Sequence, residues 1–152
     1  MTAIIHQILY KMIATLISIP MFLGINVDCL KADSSNWNTN YTYVFVHGLS
    51  GWGSYDDTYK FMPYWGMFGG DLMEYLGDKG FTTAAASVDP NGSAWDRACE
   101  LYAQLVGTKV DYGKAHSEKY GHDRYGEDYT GRALIDSFSK EDKINLLGHS
   151  FG

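Results

Sequence analysis

One strand-to-turn junction constrains this chain more than any other feature. Lys143-Ile144-Asn145-Leu146-Leu147 reads as a strand, and Gly148-His149-Ser150-Phe151-Gly152 follows it directly. The pentapeptide fits G-x-S-x-G, and an apolar strand before it is the context in which that pattern builds a nucleophile elbow. A sharp turn there lifts the serine hydroxyl out at the top of a parallel sheet. Cβ atoms at the flanking glycines would clash with the folded strand and turn. An ordinary glycine-rich strand–helix turn also fits the pentapeptide, so the upstream organisation has to be weighed with it.

That organisation is strand, helix, strand, helix, excursion, strand. Tyr43-Val44-Phe45-Val46 is apolar on both faces, which suits a strand inside a parallel sheet, and it ends at His47-Gly48. Leu49 to Pro63 reads as a long functional loop. The spacing predicts a helix over 71–79 with Leu72, Tyr75 and Leu76 on one face, then a strand over 81–88 and a turn at Asp89-Pro90-Asn91-Gly92. A second helix is predicted over 93–106, with Ala98, Leu101, Tyr102 and Leu105 buried. Residues 107–132 show neither helical nor strand periodicity and read as an inserted excursion, and 133–138 reads as a short helix. The alternation is that of an α/β fold with a parallel sheet.

An apolar content of 45% over 152 residues supports one packed domain, and a net charge of −6 gives no footprint for nucleic acid. Residues 1–32 differ from the rest: Lys11 precedes an apolar run from Met12 to Val27, with a loose cleavage site at Leu30-Lys31-Ala32. This reads as a signal peptide of a secreted protein, leaving 33–152 as the N-terminal part of a single domain; an N-terminal anchor or buried helix is the alternative. Asp28-Cys29 lacks the small residue expected before a lipoprotein cysteine. Cys99, on an apolar helical face, reads as a small core residue and not as a nucleophile.

The loop after the first strand of such a fold donates one backbone N–H to an oxyanion, and the residue after the nucleophile donates the other. Those positions are Leu49 and Phe151, around Ser150. His47 is not assigned as general base, because it precedes the nucleophile and the base of this class follows it. Asp96, His116 and His122 could hold a zinc ion with one further ligand. On pattern alone Ser93-x-x-Asp96 favours a helix cap, with both histidines as surface residues.

Several segments resemble one family in fixed order and spacing. Trp95-Asp96-Arg97-Ala98-Cys99-Glu100-Leu101-Tyr102-Ala103-Gln104-Leu105-Val106-Gly107, Val110-Asp111-Tyr112-Gly113-Lys114-Ala115-His116 and Lys119-Tyr120-Gly121-His122 are similar to the thermoalkalophilic zinc-containing bacterial lipases of Geobacillus type, relatives of the staphylococcal lipases. His47-Gly48-Leu49-Ser50-Gly51-Trp52-Gly53 and Tyr64-Trp65-Gly66 match as well, so the resemblance covers roughly 43–152. It implies an α/β-hydrolase fold, here an incomplete parallel sheet with an inserted zinc-binding excursion. It implies carboxylic ester hydrolysis with Ser150 as nucleophile and Leu49 and Phe151 as oxyanion donors. It also reverses the preference at Asp96, making Asp96, His116 and His122 ligands of a structural zinc whose fourth ligand lies beyond Gly152. A metal-bound Asp96 is then expected to be only partly free to cap its helix. The resemblance places the triad's acid and histidine, and any calcium site, beyond Gly152 too, so these 152 residues alone are expected to be inactive.

The chain departs from the family at Leu49, where Phe is usual, and at Phe151, where a polar or thioether residue is usual. The first change bears on the acyl cleft and chain-length preference, the second on how the oxyanion site is closed. Lipid or other ester substrates are the expected partners, with contact to lipid aggregates, no nucleic acid and no obligate protein partner. Another acyl-transfer substrate such as a polyester, and a non-catalytic binding module, are the alternatives.

Overall fold

The computed structural model describes residues 41–152; the signal-peptide reading lies outside the described residues. The elements are β1 (Thr42–Val46), α1 (Leu72–Gly77), β2 (Thr83–Ala86), α2 (Ala94–Val106), β3 (Lys109–Asp111), α3 (Lys114–Tyr120), β4 (Tyr125–Asp128) and β5 (Ile144–Gly148), with short 3-10 turns at Asp57–Lys60 and Met67–Gly69. β1 is the middle of a three-stranded sheet of order β2-β1-β5, parallel throughout. The chain leaves β1 for β2 on one side and returns to β5 on the other. Ligand crevices in open α/β sheets form at such a reversal, outside the carboxyl ends of the strands. The loop after β1 and the turn after β5 both lie at that end.

Side chains alternate across a strand, and the two faces of β1 are used differently. Val44 and Val46 join Ala84, Ala86, Val88, Leu105 and Ile135 in a core closed by Leu101, Leu134 and Ile144. Each fully buried Val contributes about 1.5–3 kcal/mol. Phe45 points the other way, edge-on to Trp65 at 5.0 Å.

α2 is capped by Ser93, whose hydroxyl accepts from the Asp96 amide. Its buried stripe differs from the expected one. Arg97, Glu100, Ala103, Gln104 and Leu105 are buried, whereas Ala98 and Tyr102 are exposed and Leu101 is half-buried. The reason is backbone hydrogen bonding. The Gln104 amide donates to the Ser87 carbonyl at 2.7 Å and accepts from the Ser87 N–H at 2.9 Å. Glu100 accepts from the Asp89 N–H at 2.5 Å. Arg97 donates to the carbonyls of Asp89 and His47, the latter at 2.6 Å. Buried backbone groups need partners, and these three polar residues, one helical turn apart, supply them where the chain leaves β1 and β2. The displaced apolar face of α2 borders a groove of about 310 Å³ beside Leu146 and Phe151.

Three further expectations are corrected. Residues 107–132 are not irregular: β3 and β4 form an antiparallel ribbon around α3. Residues 133–138 form an irregular bend and no helix. Tyr75 of α1 is exposed, and its ring faces the Lys79 ammonium at 5.5 Å and not the core. Cys99 is half-buried against Ala103, Val110 and Tyr129, where burial raises its thiol pKa, in keeping with a packing role.

Candidate active site and metal cluster

The turn after β5 is tight. The Gly152 N–H donates to the His149 carbonyl at 2.9 Å, and the His149 N–H donates to the Val46 carbonyl at 3.1 Å. Ser150 sits between them at φ +57, in the left-handed region that a residue with a Cβ enters only under constraint. A Cβ on Gly148 would lie 2.6 Å from the Gly152 carbonyl oxygen, and one on Gly152 would overlap the Val46 carbonyl. The two glycines let the turn after β5 close on itself and pack against the end of β1.

The loop after β1 meets this turn at Gly48, where an added Cβ would lie 3.1 Å from the Ser150 Cβ. Among the described residues, neither the Leu49 nor the Phe151 amide donates to a protein acceptor. Their side chains are open, Leu49 at 62% and Phe151 at 47% exposure. Free amides beside an exposed serine are what an oxyanion site requires.

His47 is fully buried. Its Nδ1 lies 2.9 Å from the Gly48 carbonyl oxygen, which can only accept, so Nδ1 carries the proton. Nε2 has no partner in hydrogen-bonding geometry. Burial lowers its pKa, and the nearby Arg97 guanidinium adds to that, against the raising effect of the Gly48 and Val88 carbonyls. His47 is an enclosed ring whose neutral form burial favours.

Arg97 and Tyr64 were not singled out in the sequence. Arg97 is 5% exposed, holds the His47 carbonyl, and places its guanidinium 5.1 Å from the Phe151 ring centroid. A cation at the fourth position of an amphipathic helix looks like a solvated residue in a sequence; the unmatched carbonyls beyond the ends of β1 and β2 carry the signal. The Tyr64 Oη accepts from the Gly48 N–H at 3.2 Å and lies 2.7 Å from His149 Nδ1.

The second cluster lies between the start of α2 and the excursion. One ligand atom each from Asp96, His116 and His122 lies within 4.8 Å of the others. Asp96 Oδ1 is 3.0 Å from His116 Nε2 and 3.7 Å from His122 Nε2. Zinc–ligand bonds of about 2.0–2.1 Å in a tetrahedron put ligand atoms about 3.3 Å apart, inside that bracket. His122 Nδ1 lies 2.8 Å from the Asp123 carbonyl oxygen. It must donate there, which leaves the Nε2 lone pair facing the cluster, the tautomer a metal needs. Trp95 stacks on His116 at 5.6 Å and is itself fixed by a 2.8 Å bond to the Tyr112 carbonyl. The capping and ligand readings of Asp96 do not compete: Oδ2 accepts from the Ser93 hydroxyl at 2.7 Å while Oδ1 faces the histidines. The residues present fit a divalent metal with a borderline-soft nitrogen and oxygen donor set.

The profile of a family described as "Lipase-like, C-terminal domain" matches residues 39–152. The chain belongs to this family. It is 40% identical over 123 residues to "Lipase 2" of Staphylococcus aureus, covering 81% of this chain and 18% of that protein. Against the "Lipase" of Staphylococcus epidermidis it is 36% identical over 122 residues, with 80% and 17% covered. The chain therefore spans about a fifth of the length of the curated relatives it matches. Among solved structures it is similar to EstA from Clostridium botulinum, at TM-score 0.67 and 48% identity over 74% of this chain and 25% of that one. It is similar also to the Staphylococcus hyicus lipase, at TM-score 0.67 and 38% identity over 78% of this chain and 30% of that one.

Proposed function

We propose that this chain supplies the nucleophile and oxyanion site of a serine carboxylic ester hydrolase of the lipase or esterase type, acting on lipid or other water-insoluble esters. The observation that carries the reading is Ser150 at φ +57 on a glycine-flanked turn, packed against Gly48 and the loop bearing the Leu49 amide. Membership of a family of lipase-like domains supports it.

Ser150 Oγ attacks the acyl carbonyl and gives its proton to a general base. The carbonyl oxygen becomes an oxyanion held by the Leu49 and Phe151 N–H groups. The alcohol leaves with a proton, and water releases the acid from the acyl-enzyme. Each oxyanion donor contributes about 3 kcal/mol to transition-state stabilisation in comparable sites. No imidazole among the described residues bonds to Ser150: His47 is enclosed, and the His149 ring is engaged by Tyr64. This reading assigns the base to a residue outside them.

Asp96, His116 and His122 would hold a structural zinc, pinning the β3–β4 excursion to α2. The apolar run at 12–27 supports export.

The test is a hybrid in which residues 41–152 replace the matched segment of the C. botulinum EstA. It is expected to hydrolyse p-nitrophenyl butyrate and to lose that activity with Ser150→Ala. A Ser150→Ala hybrid as fast as its parent overturns the reading.

A further inference from the structure

We propose that Tyr64 is a positioning residue whose hydroxyl ties together the two backbone segments that bear the oxyanion donors. The proposal rests on the ester-hydrolase reading above. Gly48 immediately precedes Leu49, and His149 immediately precedes Ser150. Tyr64 Oη bonds to both, at 3.2 Å to the Gly48 N–H and 2.7 Å to His149 Nδ1. Among the described residues it is the one side-chain atom hydrogen-bonded to both segments.

The tie is held at a fixed point. The Tyr64 ring packs edge-on against Trp52 at 5.5 Å and Trp65 at 5.4 Å, and lies 5.7 Å from the His47 ring. An added Cβ on Gly51 would come within 2.7 Å of Tyr64 Cε2, so the loop is closed down on the ring. The hydroxyl therefore cannot follow either segment without moving the aromatic cluster.

Proton accounting fixes the direction of the second bond. Gly48 already donates to Oη. If His149 Nδ1–H donated as well, the hydroxyl proton would have no protein acceptor. With the hydroxyl donating to Nδ1, all three groups are satisfied and His149 carries its proton on Nε2. The tyrosine thus sets one histidine tautomer and the orientation of the peptide that ends at the Gly48 N–H. Catalytic geometry tolerates little slack: a misplacement of about 1 Å costs on the order of 10²-fold in rate.

The experiment is NMR of the 15N-labelled chain as wild type, Tyr64→Phe and His149→Ala. Wild type is expected to show His149 with an acceptor-type Nδ1 and a protonated Nε2. Tyr64→Phe should turn this into a tautomer mixture and move the amide resonances of both Leu49 and Phe151, while Leu105 and Val110 in the core stay in place. His149→Ala, which cuts the tie from the other side, should also move the Leu49 amide. In the EstA hybrid, Tyr64→Phe should lower kcat about tenfold and leave KM within about twofold, the pattern of lost transition-state positioning. An unchanged His149 tautomer in a folded Tyr64→Phe chain, or a Leu49 amide indifferent to His149→Ala, overturns the tie. An unchanged kcat with the tie intact by NMR overturns its role in positioning. Failure of the hydrolase reading shows separately, as activity that survives Ser150→Ala.

Discussion

Asp96 Oδ1 lies 3.0 Å from His116 Nε2, while Oδ2 of the same carboxylate accepts from the Ser93 hydroxyl at 2.7 Å. The carboxylate is oriented by the helix cap and aimed at the histidines. Outer-shell partners of this kind are worth about 10–100-fold in metal affinity. Ser93→Ala is therefore expected to weaken zinc binding by about that factor, and His116→Ala or His122→Ala to weaken it more. Competition titration with a chromogenic chelator measures each. Equal zinc affinity in wild type and His116→Ala would rule the cluster out as the site.

The turn that carries Ser150 depends on its missing Cβ atoms. Gly152→Ala drives a methyl into the Val46 carbonyl, and Gly148→Ala places one 2.6 Å from the Gly152 carbonyl oxygen. Neither neighbour is the far end of a flexible side chain, so the backbone must shift, at about 1–3 kcal/mol each. Gly69, with open space around it, is the control, and its alanine variant should unfold at nearly the wild-type denaturant concentration.

Gln104 is fully buried and completes both backbone groups of Ser87. Gln104→Leu keeps the volume and strands the half-buried N–H and C=O of Ser87, at a cost of about 1 kcal/mol or more each. The expected loss, read by urea denaturation, is larger than that for Tyr102→Ala on the exposed face of the same helix. A small loss at Gln104 would mean that water or a loop shift satisfies Ser87.

His47 gives stability a pH dependence of known sign. Its folded pKa lies below the unfolded 6.5, chiefly through burial, so the unfolded chain binds the extra proton first. The stabilising contribution is complete above about 6.5 and declines as pH falls through the lowered folded value. The exposed Asp57, Asp111 and Asp128 also have lowered pKa values, but from an ordinary 3.8, so they act at lower pH. Denaturation at pH 8 and pH 5.5 should show a fall in wild type that shrinks in His47→Asn. Equal slopes would remove His47 as the cause.

Much of the frame was legible in the sequence because it is local. Val44 to Val46 and Ile144 to Leu147 announce strands by composition, and Gly148 and Gly152 announce the turn by spacing. What escaped is where polar groups answer distant backbone. Arg97, Glu100 and Gln104 read as solvated positions until the carbonyls and amides of residues 47, 87 and 89 appear beside them. The excursion escaped for another reason: β3 and β4 are three and four residues long, too short for alternation to register. Tyr64 and His149 are 85 residues apart, and no local pattern links them.

Ser150 Oγ has no hydrogen-bond partner among the described residues, and neither neighbouring imidazole is free to take its proton. A serine hydroxyl without a base is a weak nucleophile, and losing the base costs at least about 10⁴-fold in turnover. The 152-residue chain should therefore hydrolyse p-nitrophenyl butyrate at least that far below the EstA hybrid, at matched concentrations. Robust hydrolysis by the chain alone, lost in Ser150→Ala, would mean that a base is present within these residues. The proton-acceptor role would then have to be sought at His149, with Tyr64 as its orienting partner.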